Sequence, residues 1–275
     1  MRTILGGLLL LLWTAVCQAA DETVNPVALA HTEARTISSK LTGHPYRLSV
    51  FLPANYAESG RHYPVLYVLD GLWNFSFLHG LDDTLFYAKR VPEIIIVAID
   101  YPTDSYAEVM KSREHDFTPT AWSKRPGSGG AATYLAFLEK ELIPFIDATY
   151  RTDAADRALL GHSYGGLFGI YAWMERPGLF QRILAASPSI YWDDERLIKE
   201  ASERIKTARL SARLDVSIGL AEDPEDVDAV KAFDGLLKAH PPAAGAYRCT
   251  YYPGENHNST KPLAFVYGLP WIYKN

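Results

Sequence analysis

The chain has 275 residues, with 27 Lys and Arg against 32 Asp and Glu, a formal charge of −5, and two cysteines. A net acidic chain is a poor nucleic-acid binder. Nearly half of its residues are hydrophobic, so it can bury a substantial core, and its length suits one large α/β domain.

The chain opens like a targeting segment. Met1-Arg2 is a short basic head, Ile4 to Val16 is almost wholly apolar, and Gln18-Ala19-Ala20 supplies small residues for cleavage after Ala19 or Ala20. The expectation is a signal peptide over 1–19, a single domain over 20–275, and a periplasmic or secreted product without stable membrane insertion. Removal of Cys17 leaves Cys249 as the one thiol, which excludes an internal disulfide. Cys249 sits in a strand-like segment and reads as an inert buried thiol.

Residues 34–39 and 46–52 read as two strands joined at Gly43-His44-Pro45. Tyr63 to Leu69 and Ile94 to Ile99 read as buried central strands, with a helix between them over 76–89. Residues 102–128 lack clean periodicity and read as an irregular excursion. Gly127-Ser128-Gly129-Gly130 ends it and opens a helix through Thr149. Further on come strands at 182–186, 213–219 and 247–252, helices at 197–209 and 226–238, and a short, partly helical stretch from Lys261 to Ile272. Alternation of strand and helix predicts parallel pairing with right-handed crossovers, and the opening hairpin predicts an antiparallel edge.

The chemistry centres on Gly161-His162-Ser163-Tyr164-Gly165, a G-x-S-x-G run preceded by the apolar Ala158-Leu159-Leu160 and followed by a helical segment. Strand, G-x-S-x-G and helix form a nucleophile elbow, whose tight turn requires small residues two places to either side of the serine. Ser163 is the candidate nucleophile. A serine hydroxyl needs a base, and the base needs an orienting acid, in the chain order Ser, acid, His for this kind of elbow. His257, in the polar segment Gly254 to Asn258, is the candidate base. His240 reads as a helix-end residue before two prolines. Glu222 and Asp223 both follow the strand over 213–219. Glu222 stands directly beyond the turn, whereas Pro224 holds Asp223 extended. The candidate oxyanion donors are the backbone N–H of Tyr164 and that of Leu72 in the loop Asp70-Gly71-Leu72-Trp73. Trp73, Phe75, Arg113, Tyr191 and Trp192 fall in loops at strand ends and are candidates for the substrate wall. Arg113 could pair with an anionic substrate or hold Asp116.

The chain resembles the putative-esterase family of α/β-hydrolases, which includes esterase D, feruloyl esterase domains and enterochelin-type siderophore esterases. The resemblance rests on Tyr67-Val68-Leu69-Asp70-Gly71, on Arg113 to Thr120, on Gly161 to Gly166, on Ala186 to Trp192 and on Gly254-Glu255-Asn256-His257. It implies an α/β-hydrolase fold: a mostly parallel twisted sheet with an antiparallel N-terminal edge and helices on both faces. It also implies Ser163 and His257 as the catalytic pair, with the acid position on Glu222 and the first-loop donor on Leu72. Some enterobactin-type members work as a Ser-His dyad. The expected function is an exported serine carboxylic-ester hydrolase acting through an acyl-enzyme on a small-molecule ester, with no cofactor and no metal. A siderophore trilactone, or a related aromatic or short acyl ester, is the expected substrate class. The competing readings are an acyltransferase with the same acyl-enzyme chemistry, distinguished only by its acceptor, and a non-catalytic binding protein.

Overall fold

The computed structural model describes residues 27–207, 210–242 and 246–274. The targeting segment over 1–19 and its cleavage point therefore lie outside the described residues.

Eight strands form one sheet in the order β1-β2-β4-β3-β5-β6-β7-β8. β1 (Thr32–Ser38) and β2 (Pro45–Phe51) make the expected hairpin, and β2 runs antiparallel to β4 (Ile95–Asp100). β3 (Tyr63–Val68), β5 (Thr152–His162), β6 (Arg182–Ala186), β7 (Arg213–Gly219) and β8 (Tyr247–Tyr252) continue from β4 in parallel. This is the mostly parallel sheet with an antiparallel N-terminal edge that the strand-helix alternation predicts.

The period-two geometry of strands divides the core into two layers. Leu66 and Val68 of β3, Ile96 and Ala98 of β4, and Ala158 and Leu160 of β5 face one side. There they meet Leu78 and Leu85 of α2 (Gly71–Tyr87) and Phe265, Leu269 and Ile272 of α9 (His257–Ile272). The alternate residues Val65 and Tyr67, Ile95 and Val97, and Leu159 face the other side. They pack with α4 (Ala131–Phe137), α5 (Ile143–Thr149), α6 (Tyr164–Glu175) and α8 (Pro224–Ala239). Continuous apolar runs in β3 and β4 thus reflect burial on both faces.

Several sequence expectations need correction. The excursion over 102–128 contains a twelve-residue helix, α3 (Tyr106–Phe117). Its low hydrophobicity hid it, because Val109, Arg113, Asp116 and Phe117 supply a buried face in which two of four members are charged. The Ser105 side chain accepts from the Glu108 N–H and caps it. α2 begins at Gly71 rather than at 76, directly after β3. α7 (Trp192–Thr207) carries left-handed backbone at Asp193, Asp194 and Glu195. The final helix starts at His257, four residues before Lys261, and runs for 16 residues through Pro262 and Pro270. The remaining short helix is α1 (Tyr56–Ser59), and a π-helical turn over Leu138–Leu142 joins α4 to α5.

Candidate active site

β5 runs straight into Ser163, and α6 starts at the next residue. Ser163 has φ 61° and ψ −122°, a conformation that costs a non-glycine residue energy. Hydrogen bonds hold it from both sides: its N–H donates to Ala186 O at 3.0 Å, and its carbonyl accepts from Leu167 N at 3.0 Å and Ser189 N at 3.3 Å. The turn is so tight that a Cβ on Gly161 would stand 2.2 Å from Gly165 O. The strain lifts the serine over the carboxyl ends of the parallel strands, where open α/β sheets place their ligands.

Glu222 follows β7 and is nearly buried. Its Oε2 accepts from Nδ1 of His257 at 2.6 Å, and its Oε1 accepts from Ser187 Oγ at 2.7 Å and the Gly219 N–H at 2.8 Å. Burial alone would raise the carboxyl pKa. The hydrogen bonds from His257, Ser187 and Gly219 outweigh burial and hold it below the ordinary value. With Nδ1 donating to the carboxylate, Nε2 of the neutral ring keeps its lone pair and can accept a proton. Asp223 is exposed and stands at the N-cap of α8, and among the described residues no hydrogen bond or ion pair joins its carboxylate to His257 or Ser163.

His257 is the first residue of α9. The Asn256 side chain accepts from Asn258 N and Ser259 N at 3.0 and 3.1 Å, while Ser259 Oγ accepts from Asn256 N at 2.9 Å. This reciprocal cap fixes the backbone that carries the imidazole. The His257 carbonyl accepts from Nε2 of His162 at 2.8 Å, and the two rings lie 4.5 Å apart. Burial, then the neighbouring His257, push the His162 pKa down to about 3, so His162 is neutral. Ser163 Oγ lies 3.4 Å from Ser189 Oγ. Among the described residues no hydrogen bond joins Ser163 to His257, yet both border one cleft. Such bonds commonly tighten only when substrate is bound.

The cleft has a volume of about 470 Å³ and is bordered by Asp70, Trp73, Arg113, Ser163, His257 and Lys261, with Tyr106 and Met110 at its side. Asp70 is the N-cap of α2 in left-handed backbone, so α2 starts just beyond the carboxyl end of the central strand β3. Leu72 is the second residue of α2, and Tyr164 is the first of α6. Both N–H groups belong to first turns, which lack intrahelical acceptors.

The wall residues divide. Trp73 borders the cleft and lies tilted against Tyr106, with ring centroids 6.1 Å apart. Arg113 also borders it, but its guanidinium forks onto Asp70 with two bonds of 2.9 Å and is not attached to Asp116. It is 5% exposed and lies among the rings of Trp73, Phe117 and Tyr164. Asp116 instead accepts from Tyr46 and Tyr101 and pairs with His115. Trp192 is 2% exposed, donates to Thr120 O and packs on Trp122 and Tyr164, so it is a core residue. Tyr191 is partly buried against the same core, and Phe75 packs on the opposite face of the sheet. Neither borders the cleft. Sequence reasoning missed Ser187, Asp70 and Lys261 as members of the site. Ser187 was within reach, since it lies in the Ala186-to-Trp192 run that carries the resemblance. Cys249 is partly buried, and burial pushes its thiol up to about 12.

Comparison with known proteins gives the family. The family model described as "Putative esterase" matches residues 38–257. A siderophore triacetylfusarinine C esterase of Aspergillus fumigatus is 33% identical over 193 residues, which are 68% of this chain and 65% of the relative, just under two thirds of its length. The ferri-bacillibactin esterase BesA of Bacillus subtilis is 31% identical over 204 residues, 68% of each chain. Among solved structures, the BES protein from Bacillus cereus superposes with a TM-score of 0.83 at 27% identity, covering 92% of this chain and all of that one. An IroE-like serine hydrolase from Shewanella oneidensis superposes with a TM-score of 0.78 at 27% identity, covering 88% of this chain and 80% of that one. The chain therefore belongs to this esterase family of the α/β-hydrolases, and carboxylic ester hydrolysis is the class of reaction that membership brings with it.

Proposed function

We propose that the protein is an exported serine hydrolase that opens the ester bonds of siderophores or of related aromatic and short acyl esters. The observation that carries the chemistry is the carboxylate-imidazole bond, Glu222 Oε2 to His257 Nδ1, beside the strained Ser163 in one cleft. The printed names of the relatives support the substrate class, and the basic head and apolar run of the first 16 residues support export.

In this reading Ser163 Oγ attacks the ester carbonyl carbon as Nε2 of His257 takes its proton. The N–H groups of Leu72 and Tyr164 stabilise the negative charge that develops on the carbonyl oxygen. Glu222 stays ionised and stabilises the imidazolium. Collapse breaks the bond to the alcohol, which leaves with the proton from Nε2, and the acyl group stays on Ser163. Water then attacks the acyl-enzyme and gives one proton to His257, which returns it to Ser163 Oγ as the acyl–oxygen bond breaks, releasing the carboxylic acid and the free serine. Trp73 offers a flat face for an aromatic acyl group.

The test is mass-spectrometric turnover of a catecholate trilactone, a fusarinine-type ester, a feruloyl ester and p-nitrophenyl butyrate. Preferred opening of a siderophore ester supports the reading. Activity confined to simple esters would leave a general esterase, and inertness toward all four would remove the hydrolase reading.

A further inference from the structure

Among the described residues, one half-buried cation borders the cleft outside any hydrogen bond or ion pair. Lys261 lies one helical turn beyond His257 on α9, and residues four apart share a helix face. Helical side chains lean toward the helix N-terminus, so Lys261 leans toward His257. Among the described residues it makes neither a hydrogen bond nor an ion pair. The carboxylate that acts on it is that of Asp70, and both of its oxygens are taken by Arg113. Burial, with Arg113 opposing it further, holds the ammonium below its ordinary pKa despite Asp70. The other groups do not offset this charge. His162 is neutral, and Glu222 lies nearly buried with its oxygens committed to His257, Ser187 and Gly219. A chain of formal charge −5 thus keeps a partly buried lysine at its cleft whose nearest acting carboxylate, that of Asp70, is already engaged by Arg113.

We propose, building on the ester-hydrolase reading above, that Lys261 recognises a negatively charged oxygen of the substrate, a carboxylate or phenolate carried near the ester, and so sets a preference for acidic over neutral esters. Sequence reasoning gave this task to Arg113. That guanidinium is occupied, and the free ammonium of Lys261 stands in the same cleft.

The experiment compares kcat/KM for 4-nitrophenyl butyrate with that for the 4-nitrophenyl monoesters of succinic and adipic acid, which carry a terminal carboxylate at two reaches. The readout is the acidic-to-neutral ratio. Lys261→Met, which keeps the apolar stem, should lower it about ten- to a hundredfold for the better-fitting acid, chiefly through KM. Lys261→Arg should keep it within about threefold, and Lys261→Glu should reverse the order. Raising salt from about 0.05 to 0.5 M should shrink the wild-type ratio and leave that of Lys261→Met nearly constant. An unchanged ratio in Lys261→Met, or an equal fall in Lys261→Arg, overturns the proposal and leaves Lys261 as a spacer. Failure of the esterase reading is a separate result: the wild type then turns over none of the three esters and takes no serine-directed phosphonate at Ser163.

Discussion

Ser163, Glu222 and His162 each make a different prediction. Ser163→Ala deletes a nucleophile while keeping the Cβ and the backbone conformation, and it opens no core cavity. It should remove nearly all esterase turnover and phosphonate labelling while leaving the unfolding midpoint almost unmoved. Retained turnover would place the chemistry elsewhere. Glu222→Gln should lower kcat by roughly two to four decades with little change in KM, and Asp223→Asn should do much less, because Asp223 is an exposed helix cap. Near-normal kcat in Glu222→Gln would indicate a working Ser-His dyad. The acid side of the stability curve follows from two groups. Burial drives the pKa of His162 below its ordinary 6.5, so the unfolded chain binds the extra proton as pH falls. Glu222 is held below its ordinary 4.5, so the unfolded chain again binds the proton first. Both contributions are complete above the unfolded values and are lost as pH drops through the folded ones. His162→Asn should flatten the pH dependence of unfolding free energy between 6.5 and about 3, by at most about 1.4 kcal/mol per pH unit. Urea titrations across that range measure it, and an unchanged slope would mean that the ring is protonated in the native state.

Among the elements, α3 and α2 are tied by one buried pair. Arg113 reaches from the middle of α3 to the N-cap of α2 and also touches the His162 carbonyl at 3.4 Å. It therefore braces the N-terminus of α2, which carries the Leu72 amide. Arg113→Met should cost about 3–5 kcal/mol of stability, since it leaves the Asp70 carboxylate buried and unpaired. Adding Asp70→Asn should recover much of that loss. Chemical denaturation of both variants decides the matter, and an additive loss in the double variant would show that the two side chains act independently. This pair also shows where sequence reading stops. The strand positions, the tight turn at Ser163 and the pairing of Glu222 rather than Asp223 with His257 were legible, because apolar runs, a glycine-bounded turn and a proline-locked neighbour leave local marks. α3 was not, because half of its buried face is charged, and the charge is matched by Asp70, 43 residues away. The start of α9 was hidden in a similar way. Its cap is an Asn-Ser reciprocal pair inside a run that reads as a polar loop, and Pro262 interrupts the apolar pattern that follows. Trp192 was placed in the wall because composition shows an aromatic near a strand end and cannot show which way it turns.

For the molecule as a whole, export predicts a defined mature end. Expression with the native leader in a Gram-negative host should give a periplasmic or secreted protein that begins at Ala20 or Asp21, as read by intact mass and N-terminal sequencing. Recovery of the unprocessed chain in the cytosol would remove the exported reading while leaving the esterase chemistry intact. Among the described residues no helix is long and apolar enough to cross a membrane.

The proposed oxyanion donors sit on opposite sides of the β3–β5 pairing, where Val65 lies beside Arg157, 157 − 65 = 92 residues further along the chain. Leu72 and Tyr164 can face one carbonyl oxygen only after that long loop has closed, and Glu222 can reach His257 only after β7 has paired with β8. Turnover is then a late event in folding: on dilution from denaturant, far-UV ellipticity should recover before ester cleavage does. A chain threading through a membrane in extended form would be inert toward the thioesters and esters of the compartment that made it. Its chemistry would switch on only where its sheet is allowed to close.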